Sequence, residues 1–473
     1  MGDKKIFRRA LIGAVCSLGF AFSGTANALD WLMLQGTEPQ DASAPVKVWG
    51  FVQANYMKDY SSANPGNLPG GTQTGCTPGA SNCYVPPKML GPNLNAQSGF
   101  NVLHAQVGVR GTGFPIDDHV NYFMLLEAGN AATNHTSTGS SGPAMTDASI
   151  TLNYIKGARV RVGLFKYPGS EEGMQSTIAT TYMDFSEATN ALLLERFPNN
   201  VYTANLPPQT LAQLQASGQS LNGFTKPVGG FRDSGVQVFD SFDMGNDWSM
   251  TYAAMLGQGS GIELNNIDGK YDTYLYLATE KNLASKGPAN GLKFYVWNQS
   301  GQRLADVTND TVANPQLYKR DRSGFGVNYM AKPYRASFEY ITANGMIFEG
   351  PDKPSYTFVT TNGSTAKANG WYLEGGWYVP GTKWELDARY DTVDLNTGAT
   401  DEHKFTKTSL GVKYNFNPRA HVTFNYELRD FKCTAAGVIL TAGPNAGKNS
   451  CAVANANLSG VGNKVGVRVT TAF

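Results

Sequence analysis

From Val46 to the carboxyl terminus, apolar and polar residues alternate in runs of about ten, separated by connections rich in Gly, Pro, Asn and Ser. The first five runs are VKVWGFVQANY, GFNVLHAQVGVRG, HVNYFMLLEAG, MTDASITLNYI and ARVRVGLFKY, and the series continues from GFRDSGVQVFD to GNKVGVRVTTAF, giving sixteen in all. Period-two alternation at this length predicts strands with one apolar and one polar face. In KWELDARYD one parity holds Trp384, Leu386, Ala388 and Tyr390, and the other holds Lys383, Glu385, Asp387, Arg389 and Asp391. In HVTFNYELRD, Val422, Phe424, Tyr426 and Leu428 oppose Thr423, Asn425, Glu427 and Arg429.

A soluble two-sheet sandwich would show the same alternation, so the connections carry the decision. Every odd-to-even connection is long, such as Met57 to Ser98, whereas most even-to-odd ones are tight, such as Lys156–Gly157, Pro380–Thr382 and Asn417–Arg419. Short turns at one rim and long loops at the other are the habit of hairpins standing through an outer membrane. Tyr and Trp near strand ends fit an aromatic girdle. Open sheet edges are excluded in lipid, so the expected fold is an all-β, transmembrane antiparallel barrel of about sixteen strands spanning 46–473. The last run ends on Phe473 because its strand must pair with the first, and a terminal Phe looks like the signal that outer-membrane assembly machinery reads.

The amino terminus adds a destination. Lys4, Lys5, Arg8 and Arg9 precede an uncharged run from Ala10 to about Phe22, then TANALD with small residues at Ala26 and Ala28, the pattern of a signal peptide cleaved after residue 28. Removing 1–28 lowers the formal net charge from +1 to about −2, which offers no electrostatic case for nucleic acid. Residues 29–45, opening LDWL, form a short periplasmic segment, either a tether or a small piece of the lumen, and are too short for the plug of an energised receptor. Four cysteines remain after cleavage, and in an exported chain Cys76 with Cys83 and Cys433 with Cys451 are the natural disulfides. Neither pair has CxxC spacing or a nearby His, so no metal or other cofactor is expected.

GARVRVGLFKYPGSEEGMQS, FRDSGVQVFD, NGWYLEGGWYVPGTKWELDARYDTVD and SLGVKYNFNPRAHVTFNY resemble the porin O and P family, the phosphate-selective porins and their unspecialised relatives, from about residue 150 onward. The resemblance implies a homotrimer in outer-membrane lipid that passes small hydrophilic solutes, with the longest connection, Pro168 to Val228, folded inward as the third external loop. Its first half carries Glu171, Glu172, Asp184, Glu187 and Glu195 against a single Arg196, a poor anion trap. The expected constriction therefore sets Glu171, Glu172, Asp184 and Glu187 on an acidic side against Arg110, Arg159, Arg161, Arg389 and Arg429 on a basic wall. Further lumen-parity charges, including Arg320, Arg322, Arg335, Lys413 and Arg468 with Glu127, Asp147, Asp233, Glu339, Glu374 and Glu427, make the wall wet and its selectivity modest. Passive diffusion is the reading; an anion- or phosphate-selective porin and a sheath around an electron-transfer partner are the alternatives. The five histidines lie in no catalytic setting, so an enzyme is not expected.

Overall fold

The computed structural model describes residues 31–34, 46–61, 98–112, 117–129, 143–194, 196–198, 224–227, 230–259, 261–262, 266, 269–283, 290–305, 316–350, 356–357, 366–441 and 445–473. Each of the sixteen alternating runs is a strand. They are β1 (Lys47–Asp59), β2 (Ser98–Thr112), β3 (Val120–Glu127), β4 (Ala144–Leu152), β5 (Arg159–Lys166), β6 (Arg232–Gly245), β7 (Trp248–Gly257) and β8 (Asp272–Asn282). The second half comprises β9 (Gly291–Ala305), β10 (Gln316–Ala331), β11 (Tyr334–Asn344), β12 (Lys367–Tyr378), β13 (Trp384–Leu395), β14 (His403–Asn417), β15 (Ala420–Cys433) and β16 (Lys464–Ala472). Each pairs antiparallel with its sequence neighbours, and β16 closes on β1, so the sheet has no edge. The signal-peptide reading and the Cys76–Cys83 pair fall outside the described residues.

Burial along the strands separates a membrane barrel from a sandwich. Leu386 and Tyr390 are 41% and 43% exposed, while Glu385 and Arg389 beside them are 2% exposed. Leu275, Leu277, Phe294, Val296, Phe424, Leu428 and Val469 repeat the pattern as exposed apolar residues. A soluble domain buries its apolar face; here that face points outward, where only hydrocarbon can cover it. The polar face points inward and is covered by what fills the lumen.

Two features pin the ends of the seam. At the short-turn rim, Phe473 N donates to Gly50 O at 3.0 Å and Gly50 N donates to Phe473 O at 3.3 Å. A side chain at Gly50 would meet the Phe473 ring, with its Cβ 2.4 Å from Cζ, so glycine seats the terminal aromatic on the outer surface. Gly50→Leu is expected to overpack this seat by about 1–3 kcal/mol and to lower the heat-resistant folded fraction seen by gel mobility of unboiled samples. An unchanged fraction would mean that the ring does not help close the barrel. At the other rim Arg429 donates to Asp59 Oδ1 at 2.7 Å and to Gly462 O at 2.7 Å.

Among the described residues, four short α-helices lie off the sheet. They are α1 (Trp31–Leu34), α2 (Glu171–Met174), α3 (Glu187–Leu192) and α4 (Ser450–Leu458). Helix α4 belongs to the connection before β16, is capped by the Asn449 side chain accepting from Ala452 N, and is stapled to the end of β15 by the Cys433–Cys451 disulfide. Closing an eighteen-residue separation, this bond restricts the unfolded connection.

Candidate pore constriction

The connection from β5 to β6 supplies the element that narrows the lumen. Its first half, Tyr167 to Leu194, turns inward and folds on itself before meeting the wall. Ser186 caps α3, its Oγ accepting from Thr189 N at 3.2 Å. Glu172 in turn accepts from Ser186 N and Ser186 Oγ at 2.9 and 2.7 Å, which ties α2 to the start of α3. Met174, Phe185, Ala188, Leu192 and Phe231 join one buried apolar cluster that also takes in wall residues such as Tyr274, Trp297 and Val393.

The four loop acids named from sequence each meet a wall cation. Lys293 Nζ lies 2.8 Å from Glu171 Oε2, Arg389 Nη1 lies 2.9 Å from Glu172 Oε1, and Lys407 Nζ lies 3.0 Å from Glu187 Oε1. Asp184 pairs with Lys464. These cations come from β9, β13, β14 and β16, so the loop is held around much of the circumference.

A second set of bonds reaches the loop backbone. Lys166 donates to Gly173 O at 3.0 Å and to Gln175 O at 2.8 Å; Arg468 donates to Met183 O at 2.9 Å; Arg389 donates to Asp184 O at 2.8 Å. Lys407 and Arg322 donate to Phe185 O and Leu192 O at 2.7 and 2.6 Å. Amide bonds run the other way, from Met183 N to Asn425 Oδ1 and from Glu187 N to Asp391 Oδ1. A cation that binds both a carboxylate and a carbonyl on one loop fixes orientation as well as position.

The basic residues named from sequence divide by place. Arg389 is in the clamp. Arg159 lies 3.3 Å from Asp240 on the wall, and Arg161 is sandwiched near the Phe165 and Phe239 rings with its Nε donating to Thr151 Oγ1. Arg110 stands in register with Lys47 on the first hairpin. Arg429 holds the seam described above. The structure thus brings the four acids and Arg389 together, and it adds Lys166, Lys293, Lys407 and Lys464, which sequence reasoning passed over. Lys407 and Lys464 share the inward parity of their strands, whereas Lys293 stands on a strand with apolar residues on both parities and Lys166 shares the parity of the outward Val162.

Between the loop and the short-turn end of the wall lies a cavity of about 260 Å³, lined by residues that include Trp31, Tyr182, Arg335, Glu385, Lys413 and Arg468. Arg335 donates to Glu374 and Glu385 at 2.9 Å each, to Thr181 Oγ1 at 2.7 Å and to Asp387. Lys413 reaches Glu385 at 3.3 Å. This is a mixed-charge surface in which opposite charges neutralise one another at close range. No cluster able to hold a metal ion occurs among the described residues.

A closed barrel with an inward loop clamped by charge is a channel plan, and comparison with known families decides which. The family described as phosphate-selective porin O and P matches residues 91–435. The chain belongs to that family. The match begins well before residue 150, where the sequence resemblance rested on alternation alone. No curated protein matches the chain. Among solved structures, the trimer form of OmpT from Vibrio cholerae is 13% identical, with 92% of this chain and 100% of that chain covered and a TM-score of 0.48. The outer membrane channel DcaP of Acinetobacter baumannii is 13% identical, with 93% and 99% covered and a TM-score of 0.46. OmpF of Salmonella typhi, in complex with daunomycin, is 11% identical, with 90% and 97% covered and a TM-score of 0.46. This porin is therefore an outer-membrane channel of the bacterial envelope.

Proposed function

We propose that this porin passes small hydrophilic solutes by passive diffusion, with the clamped third loop setting the size limit and the mixed-charge surface beneath it setting a weak ionic preference. The observation that carries this reading is the commitment of the wall cations to the loop: Lys293, Lys407, Lys464 and Arg389 each hold a loop carboxylate. Cations neutralised in this way cannot also strip water from a passing oxyanion. The reaction is transport alone, so Glu171, Glu172, Asp184 and Glu187 act by placing the loop. Arg110, Arg159, Arg161 and Arg429 act on the wall and seam.

A second reading, selection of phosphate or other anions, is supported by the family description and by Arg468. That side chain bonds Thr180 Oγ1 and Met183 O in the cavity wall. Reversal potential under a KCl gradient, repeated with added phosphate, separates the two. Weak selectivity with no phosphate block is the expected result; strong anion preference with block at low phosphate would replace it.

The same reading includes a homotrimer in outer-membrane lipid, by analogy with the trimer form of Vibrio OmpT. It includes export through a signal peptide over residues 1–28 and delivery by assembly machinery that reads the strand ending in Phe473.

A further inference from the structure

The uncharged WLML segment of α1 lies against the third loop, inside the barrel. Leu32 is fully buried and joins the apolar cluster of Met174, Phe185 and Phe231, with Trp31 and Met33 packed against that cluster. Helix α1 touches α2, and Trp31 lines the cavity beneath the loop together with Arg335, Glu385, Lys413 and Arg468. Those wall residues stand near the tight turns at 332–333, 379–383 and 418–419, so the cavity is on the short-turn, periplasmic side. Strand β1 starts at Lys47 on that same rim, and the stretch from Leu34 to Lys47 can reach about 40 Å when extended. Helix α1 thus lies within tether reach of the rim where β1 begins.

We propose that this amino-terminal segment is a specificity-determining part of the channel: docked under α2, it narrows the periplasmic side and steadies the third loop. The proposal rests on the reading of that loop as the constriction. An apolar quartet in a water-filled lumen finds cover against the loop's buried apolar cluster, which explains why Leu32 is buried there. Burial of one leucine and parts of two neighbours is comparable in size to the cost of ordering a few residues. The covalent tether keeps the segment at high local concentration. Docked and undocked states accordingly exchange, and each has its own conductance.

Single-channel recording on the purified full-length chain in planar bilayers tests this, with heat-resistant gel mobility as the control for folding. Wild type is expected to switch between a main level and a higher one. Leu32→Asp, which places a charge in the apolar seat, and deletion of residues 31–34 are both expected to hold the higher level, about 1.5-fold above the main one. Leu32→Met should behave as wild type. Folded variants with wild-type levels and no change in switching would overturn the inference and leave the porin reading intact. A wild-type chain that gives no steps at all would overturn both.

Discussion

Replacing Arg389 with alanine is expected to turn a channel of reproducible conductance levels into one with larger, irregular openings, and to lower the temperature at which the barrel loses its heat-resistant form. The side chain is 2% exposed and reaches Glu172, Asp391 and the carbonyl of Asp184, while its guanidinium lies 4.3 Å from the centroid of the Tyr182 ring. Its loss leaves Glu172 and Asp391 buried without that compensation, at a cost of about 3–5 kcal/mol for a broken buried pair. Glu172 also ties α2 to Ser186, so strain at this carboxylate spreads through the folded half of the loop. Arg389→Lys keeps the charge and loses the planar fork that serves a carboxylate and a carbonyl together, so an intermediate spread of step sizes is expected. A narrow, unchanged distribution in the alanine variant would show that the clamp does not hold the constriction.

The second large effect is expected at Gly466. A Cβ there would lie 1.6 Å from Met183 Cε, the closest approach between the wall and the loop at any described glycine. The clash falls on the far end of a flexible thioether, but Met183 is buried and its backbone is held by Asn425 and Arg468, so its methyl can move only by displacing packed neighbours. Gly466→Val is expected to push the loop off β16, costing about 1–3 kcal/mol and changing the single-channel step. Met183→Ala in the same chain should restore the wild-type step by removing the clash. Failure of that rescue would place the effect of the valine in β16 itself.

Sixteen strands were legible because inward polar and outward apolar parity persists through most runs. KWELDARYD displays it without exception, and HVTFNYELRD does so up to Asp430 at its end. The closure of β16 on β1 followed from the exclusion of open sheet edges in lipid, and the hydrogen bonds between Phe473 and Gly50 make that pairing visible. Lys293 was harder. The inward face of its strand also carries Tyr295 and Trp297, both almost fully buried, while Phe294 and Val296 face out, so both parities look apolar and the lone lysine does not announce a side. Partners such as Lys293 and Glu171, 122 residues apart, could not be paired by spacing. Half of the clamp was invisible in principle, because Lys166, Arg322 and Arg468 bind backbone carbonyls, and every residue has one. Gly466 shares the inward parity of Lys464 and Arg468, which marks a place where something comes close, but not what.

The clamp holds the third loop inside the lumen, which on the reading proposed above leaves a narrow aqueous path. The most direct test of that reading is single-channel conductance of the purified protein in planar bilayers, with neutral polymers of graded size added to the bath. Small steps at reproducible levels are expected, which small polymers depress and larger ones leave unchanged, because only the small ones pass the loop. Large or erratic openings that admit large polymers would mean an unobstructed barrel, as a sheath around a partner requires, and would contradict it.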